Sequence, residues 1–231
     1  MARQLFELAG ADPARLFSPY CWRIRMALAH KGLPFESVVW HLTQKDVLRP
    51  HRSEKVPVLV DGETSVSDSW AIANYLEDTY SDRPSLFGGA GGRAMARMLN
   101  SWSDVMVGQI APFILADIHA QLAPEDQDYF RYSREKATGT TLEQARTGRE
   151  ERVANLRRWL HPLRMTLRSQ PFVGGAAPNY ADYIMFGPFQ WARVTSPFEL
   201  LAADDPIHAW RETMLDAFDG MARGTPLAGR S

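Results

Sequence analysis

The sequence contains very little cysteine, no long apolar run and no excess of one charge sign. Its single cysteine, Cys21, has no partner for an intrachain disulfide, which favours a reducing compartment. No stretch of about 18 apolar residues is present, so we expect no membrane-spanning helix. The 26 Lys and Arg side chains nearly balance the 27 Asp and Glu side chains, for a formal net charge of −1. That balance argues against binding to nucleic acid through overall charge.

The sequence also lacks the local patterns of a signal peptide and of a metal site. No long apolar run follows Met1, so we expect a cytoplasmic protein. The 6 histidines show neither HxxxH spacing nor a neighbouring cysteine pair, which predicts no metal site. With 45% hydrophobic and 23% charged residues, the 231-residue chain has the composition of a globular protein of one or two domains.

Residues 1–80 alternate strand and helix signals. Serine caps helices and proline fits their first position, so a helix is expected to begin at Ser18-Pro19. The other predicted elements are strands at 4–9, 35–40, 57–61 and 64–67 and a helix that begins at Asp68. The order β-α-β, then a hairpin, then α predicts a small mixed sheet covered by helices.

A glycine-rich segment, 81–92, divides the chain. It predicts a linker rather than a phosphate-binding loop, because no Gly-Lys-Ser/Thr follows its glycines. Beyond it, residues 93–231 carry helical signals. They include capping-box spacings at Thr140/Glu143 and Asn179/Asp182, and a stripe typical of one long helix at Val153, Leu156, Leu160, Leu163 and Leu167. We therefore expect an all-helical second domain.

Three short motifs at the ends of the predicted elements indicate ligand binding. Ser18 opens a helix whose free N–H groups stabilise an anion such as a thiolate, although plain capping also explains it. A cis bond at Val56-Pro57 would expose the Val56 backbone to a peptide ligand, while a turn proline is the simpler interpretation. Asp68-Ser69 starts another helix, where the pair either holds the amino acid end of a ligand or only caps the helix.

The order and spacing of these motifs resemble the N-terminal domain of glutathione transferases. That family has a Ser, Tyr or Cys after the first strand, then a cis-Pro, then a Glu/Asp-Ser pair. Asn179-Tyr-Ala-Asp resembles the capping box of the family's buried C-terminal helix. Longer segments look like the etherase-type transferases of bacteria and fungi, among them Ser18-Pro-Tyr-Cys-Trp-Arg, Arg52-Ser-Glu-Lys-Val-Pro-Val, Gly139-Thr-Thr-Leu-Glu and Pro178-Asn-Tyr-Ala-Asp-Tyr-Ile-Met-Phe-Gly.

The resemblance implies an α/β thioredoxin-like N-terminal domain over 1–80, a linker over 81–92 and an all-α C-terminal domain over 93–231. It also implies a homodimer. Ser18 would stabilise the glutathione thiolate, and the backbone of Val56 would pair with the cysteine of glutathione beside a cis Pro57. Asp68 and Ser69 would hold the γ-glutamyl group. Candidates for binding the glycine carboxylate are His41, Lys45, Arg52 and Lys55, with Arg52 and Lys55 preferred.

The second substrate is expected to be apolar or aromatic. Possible wall residues of its site are Trp102, Met106, Ile110, Phe113 and Trp191, although such a stripe is more often core. Cys21 lies one helical turn beyond Ser18. It is either a small buried hydrophobe or a redox group whose pKa the helix dipole lowers.

The implied function is glutathione-dependent transfer, with glutathione as cosubstrate and no metal. Thiolate attack on a lignin-type β-aryl ether, or on a similar aromatic electrophile, would release a phenol. Other glutathione reactions remain open: isomerisation, dehalogenation, or thiol–disulfide reduction through Cys21. A non-catalytic carrier of hydrophobic ligands is the alternative from another class of protein.

Overall fold

The N-terminal part of the chain folds around a four-stranded mixed sheet. The structure is a computed structural model that describes residues 3–229. Its strands are Arg3–Leu8 (β1), Phe35–Trp40 (β2), Val58–Asp61 (β3) and Thr64–Ser67 (β4), in the order β2-β1-β3-β4. β2 runs parallel to β1, whereas β3 is antiparallel to both β1 and β4. The predicted mixed sheet, including its hairpin, is confirmed.

Helices connect and cover these strands. They are Pro19–His30 (α1), Lys45–Leu48 (α2) and Ser69–Thr79 (α3), with a short 3-10 turn at Arg49–His51. α1 begins where the sequence predicts, because the Ser18 hydroxyl accepts the Cys21 N–H at 3.3 Å. Neither α2 nor the 3-10 turn is among the elements predicted for residues 1–80.

The rest of the described chain is helical. Its helices are Ala90–His119 (α4), Pro124–Thr138 (α5), Leu142–Arg146 (α6), Arg149–Trp159 (α7), His161–Ser169 (α8), Tyr180–Thr195 (α9) and Pro206–Gly220 (α10). α4 begins inside the segment 81–92 that was predicted as a linker. A Cβ at position 92 would lie 1.8 Å from the Phe87 carbonyl oxygen, so Gly92 serves close packing rather than flexibility. Between residues 3 and 229, no helix is long and apolar enough to cross a bilayer.

Two local predictions in this helical region are wrong. The apolar stripe from Val153 to Leu167 belongs to two helices, because the first turn of α8 contains Pro162 and a new helix starts there. The capping box of α6 is formed by Thr141 and Gln144, one position later than predicted.

Helix α9 forms the centre of the molecule. It packs against both α1 and α4, and almost all of its side chains are buried. The predicted capping box is present, with Asn179 as the cap and Asp182 bonding back to it. A Cβ at position 187 would lie 2.3 Å from the Pro19 carbonyl oxygen. Gly187 therefore lets α9 approach the start of α1, which is where the functional motifs lie.

Candidate functional site

A cleft of about 550 Å³ brings together most of the residues predicted to bind the tripeptide. Its lining consists of Tyr20, Arg52, Ser53, Glu54, Lys55, Val56, Pro57, Ser67, Asp68, Ser69 and Asp104. Six residues that were predicted to bind the tripeptide glutathione line this cleft: Arg52, Lys55, Val56, Pro57, Asp68 and Ser69. It also contains Tyr20 and Asp104, to which the sequence analysis assigned no role.

The backbone of Val56 is available for pairing with a ligand. The Val56–Pro57 peptide bond is cis, as the resemblance implied. Across residues 3–229, neither the N–H nor the C=O of Val56 makes a hydrogen bond to another residue. β3 begins two residues later, at Val58. An extended peptide can therefore pair with Val56 as though it added a strand residue.

Asp68 and Ser69 form the start of α3 at the edge of the cleft. The Asp68 carboxylate caps this helix by accepting the Ala71 N–H at 3.0 Å. Asp68 also has a φ of 77°, an unusual backbone conformation for a residue other than glycine. Ser69 is buried, and its carbonyl accepts the Tyr180 hydroxyl at 2.9 Å. α9 thus holds the start of α3, a role of Tyr180 that needed the fold to be recognised.

The structure separates the four candidate cations. Arg52 and Lys55 line the cleft, whereas His41 does not and lies beside Asp126, with 3.6 Å between Nδ1 and Oδ2. Asp126 also accepts the N–H groups of residues 42 and 43, so this carboxylate draws the His41 segment towards α5. His41 therefore does not line this cleft, and its role as a cation for the glycine carboxylate stays a prediction. Lys45 is paired with Glu54 at 3.8 Å.

Ser18 and Cys21 are both buried at the start of α1. Ser18 is only 4% exposed and is not among the lining residues of the cleft. Burial first, and then the charge of Glu7, raises the pKa of the Cys21 thiol to about 12. This shift is opposite to the lowering expected from the helix dipole, because loss of hydration outweighs the dipole here. Cys21 is a buried thiol. Its burial favours the interpretation as a small buried hydrophobe, and the redox role stays a prediction.

The predicted wall for an apolar substrate is part of the protein core. Met106 and Ile110 are completely buried, and Phe113 and Trp191 are nearly so. Trp102 is half-buried and its ring packs against Trp159, 5.4 Å between centroids. None of these side chains is among the lining residues of the cleft. The apolar stripe of α4 is used for packing in the helical region, which is the more common role of such a stripe.

A buried arginine contacts two of the cleft residues without a predicted role, Tyr20 and Asp104. The Arg23 side chain is 0% exposed and donates to Asn100 Oδ1 at 2.8 Å and to Ser103 Oγ at 3.0 Å. Its guanidinium also reaches Asp104 Oδ1 at 3.4 Å and lies over the Tyr20 ring, 4.5 Å from the centroid. Burial, and then the nearby Asp104, raises the pKa of Tyr20, so this phenol stays protonated. No sequence signal distinguishes Arg23 from Arg25 in the same helix.

Comparisons with known proteins point to one family. A family model described as the N-terminal domain of glutathione S-transferases matches residues 14–84, and one for the C-terminal domain of the same family matches residues 94–215. A zeta-class glutathione S-transferase of Euphorbia esula is 41% identical over 70 residues, covering 28% of this chain and 31% of that protein. A probable maleylacetoacetate isomerase of Vibrio cholerae is 39% identical over 70 residues, covering 27% and 33%. The chain thus matches only about a third of the length of each of these curated relatives.

A solved structure extends the likeness to nearly the whole chain. Glutathione transferase GSTFuA3 from Phanerochaete chrysosporium superposes with a TM-score of 0.84 at 22% identity. The match covers 96% of this chain and 97% of that one. At this identity the likeness concerns the fold: a small sheet domain followed by a helical domain.

Proposed function

Since this chain belongs to the glutathione S-transferase family, we propose that its cleft binds glutathione and that the bound thiolate attacks an electrophilic carbon of a second substrate. The observation that carries the proposal is the meeting of three features in one cleft: an unpaired backbone at Val56, a helix N-terminus at Ser69 and two cations. Glutathione has a peptide backbone, two carboxylates and an ammonium, and these features are its natural partners.

Each part of glutathione has its own partner in this arrangement. The cysteine of glutathione pairs with the N–H and C=O of Val56. The γ-glutamyl carboxylate lies against the first N–H groups of α3 beside Ser69, and its ammonium faces Asp68. The glycine carboxylate pairs with Lys55 or Arg52, which both line the cleft.

We assign to Ser18 the hydrogen bond that stabilises the thiolate. Ser18 caps α1, so it stands at the positive end of a 12-residue helix. A lowered thiol pKa increases the thiolate fraction at neutral pH. Holding both substrates in one cleft adds the advantage of proximity.

The substrate class we propose is an aromatic ketone with a β-aryl ether, because long sequence segments resemble those of etherase-type transferases. The thiolate attacks the carbon that bears the ether oxygen and forms a carbon–sulfur bond. The carbon–oxygen bond breaks, and the phenolate leaves with the bonding electrons and takes a proton from water. The neighbouring carbonyl activates the carbon under attack. A thioether of glutathione remains.

The first test is phenol release from an α-keto β-aryl ether with and without glutathione. We expect release above the uncatalysed rate that depends on glutathione. Ser18→Ala should lower kcat by about 10² with little change in glutathione Kd, the scale for removing one donor to a developing anion. Ser101→Ala, an exposed serine of α4, is the matched control. An enzyme that binds glutathione but releases no phenol contradicts the etherase assignment, and a protein with no turnover on any electrophile is a carrier.

Isomerisation is the second candidate, because one of the relatives is a probable maleylacetoacetate isomerase. In that reaction, the thiolate adds to a conjugated double bond and is eliminated after bond rotation. Glutathione is then required but not consumed. Measuring free thiol during turnover distinguishes the two reactions, since ether cleavage uses one glutathione for each phenol released.

We further propose a cytoplasmic homodimer. Glutathione chemistry and a free thiol at Cys21 both suit a reducing compartment. A groove of about 560 Å³ between α3 and α4, lined in part by Trp70, Phe87 and Arg97, supports a second copy as the partner. Exposed Met95 and Met98 lie on the same helix, α4. Sedimentation should give about twice the mass of the chain, and Trp70→Glu should shift the protein towards monomer.

A further inference from the structure

The part of the cleft beyond the glutathione residues is polar rather than apolar. Among residues 3–229, Asp104 is the only lining residue that comes from helices α4–α10. Its side chain is 49% exposed, so the carboxylate is accessible to a ligand. Tyr20, from the first turn of α1, lies beside it. A second substrate that enters here meets one aromatic ring and one carboxylate.

The Asp104 carboxylate is held in place from behind. Arg23 lies 3.4 Å from Asp104 Oδ1, and Asn100 and Ser103 fix the same guanidinium. Ser103 in turn donates to the Ile184 carbonyl at 3.0 Å, which connects this group to α9. An acceptor supported by a buried and fully oriented partner loses little freedom when a ligand binds.

The charges of Asp104 and Arg23 determine which kind of ligand can bind at this part of the cleft. The positive guanidinium of Arg23 behind Asp104 offsets much of its negative charge, which weakens the attraction for a full cation. An anion would still be repelled by the carboxylate. A neutral hydrogen-bond donor fits best, because a carboxylate still has lone pairs to spare after its hydrogen bonds with Arg23 and Tyr20.

We propose that the second substrate carries a hydroxyl group that donates to the Asp104 carboxylate, while its apolar frame lies against the ring of Tyr20. This inference rests on the proposed transferase function and names the substrate class of the same cleft. Arg23 is a positioning residue in it, since it acts through Asp104 and Tyr20. The expected substrate is thus a hydroxylated aromatic electrophile.

The test compares pairs of α-keto β-aryl ethers in which one member has an aliphatic hydroxyl and the other a methoxy group at the same position. The kcat/KM of each ether is divided by the rate constant of its uncatalysed reaction with glutathione. This ratio corrects for the intrinsic reactivity of each ether. For the wild-type protein we expect a kcat/KM preference of about tenfold or more for the hydroxyl member, the size of one hydrogen bond to a charged group. Asp104→Ala should reduce the preference to about threefold or less, and Asp104→Asn, which keeps a neutral acceptor, should retain part of it.

Controls separate this role from a structural one. Asp128→Ala removes an exposed aspartate of α5 outside the cleft and should keep the full preference. The glutathione Kd of Asp104→Ala, measured by calorimetry, should stay within about twofold of wild type. Arg23→Lys should raise KM for the hydroxyl member more than for the methoxy member.

The outcomes are distinguishable. If neither ether reacts above the uncatalysed rate, the proposed function fails and this inference fails with it. If both members react equally well with the wild-type protein, the transferase function stands and only the hydroxyl inference is overturned. A glutathione Kd weakened tenfold or more by Asp104→Ala, with the preference unchanged, would assign Asp104 to glutathione instead.

Discussion

The buried carboxylate of Asp182 should be one of the most important groups for stability. Asp182 is 0% exposed and accepts four hydrogen bonds. The donors are the backbone N–H groups of Val173 at 2.7 Å, Gly174 at 2.9 Å and Asn179 at 3.1 Å, and the Trp210 indole at 3.0 Å. One side chain therefore joins the start of α9 to the preceding loop and to α10.

The cost of Asp182→Ala follows from the groups it leaves unpaired. A donor that loses its partner costs about 1–3 kcal/mol. The low end of that range suits Val173, Gly174 and Asn179, which are partly exposed, and the high end suits the buried Trp210 indole, so the four donors give about 4–6 kcal/mol. Removing the buried charge itself offsets part of this loss, because desolvation of the carboxylate is no longer required. We expect a net loss of about 4 kcal/mol from the free energy of unfolding, a large part of the roughly 5–15 kcal/mol that is typical. For a chain of this length that is a fall in Tm of about 8–16 °C.

Asp182→Asn is the sharper variant because it keeps the shape of the side chain. Its carbonyl oxygen can keep two donors, while its NH2 group faces the other two. We expect about half of the loss seen for Asp182→Ala, roughly 2 kcal/mol. A larger loss in the free energy of unfolding for Asp182→Ala than for Asp182→Asn is the expected order. Because asparagine keeps the shape of the side chain, the loss for Asp182→Asn measures the hydrogen bonds rather than the packing.

The assay is urea-induced unfolding followed by tryptophan fluorescence and by circular dichroism. A two-state fit is justified only where the two transitions coincide. Asp128→Ala is the control for an exposed aspartate and should change stability by less than about 0.5 kcal/mol. A loss below about 1 kcal/mol for Asp182→Ala would refute the reasoning, since it would mean that water replaces the carboxylate at no cost.

Two further predictions follow from titratable groups. Burial raises the pKa of Cys21 to about 12, so iodoacetamide at pH 8 should label it only after unfolding, and rapid labelling of the native protein would contradict its burial. Burial lowers the pKa of His30, whose Nδ1 lies 2.6 Å from the Tyr183 hydroxyl. The unfolded chain then binds more protons near the ordinary pKa of about 6.5, so stability should be full above that pH and fall below it. In His30→Gln this loss of stability at low pH should disappear, and an unchanged loss would exclude His30 as its cause.

Local sequence signals predicted the start of a helix well where hydrogen bonds between neighbouring residues form its cap. Ser18 and Pro19 begin α1, and Asn179 with Asp182 begins α9, since caps depend on neighbours within a few residues. The apolar stripe from Val153 to Leu167 predicted one helix, whereas Pro162, which lies within it, belongs to the first turn of a second helix.

The chemistry of individual side chains was predicted less well. Met106 and Ile110 have the residue types of a substrate wall and also of a core, and their burial shows the second. The dipole of α1 favours a low pKa for Cys21, but the surrounding core removes its water and has the larger effect. Periodicity indicates which face of a helix is turned inward, but not what lies opposite that face.

The sequence by itself determined the order of the strands, the starts of α1, α3 and α9, and the segments around Val56 and Asp68 that line the cleft. These features depend on backbone hydrogen bonding and on periodicity over a few residues. Only the tertiary structure decided which side chains face the cleft. That choice rests on contacts between distant parts of the chain, such as Arg23 with Asp104, 81 residues apart, and on burial, which no local pattern specifies.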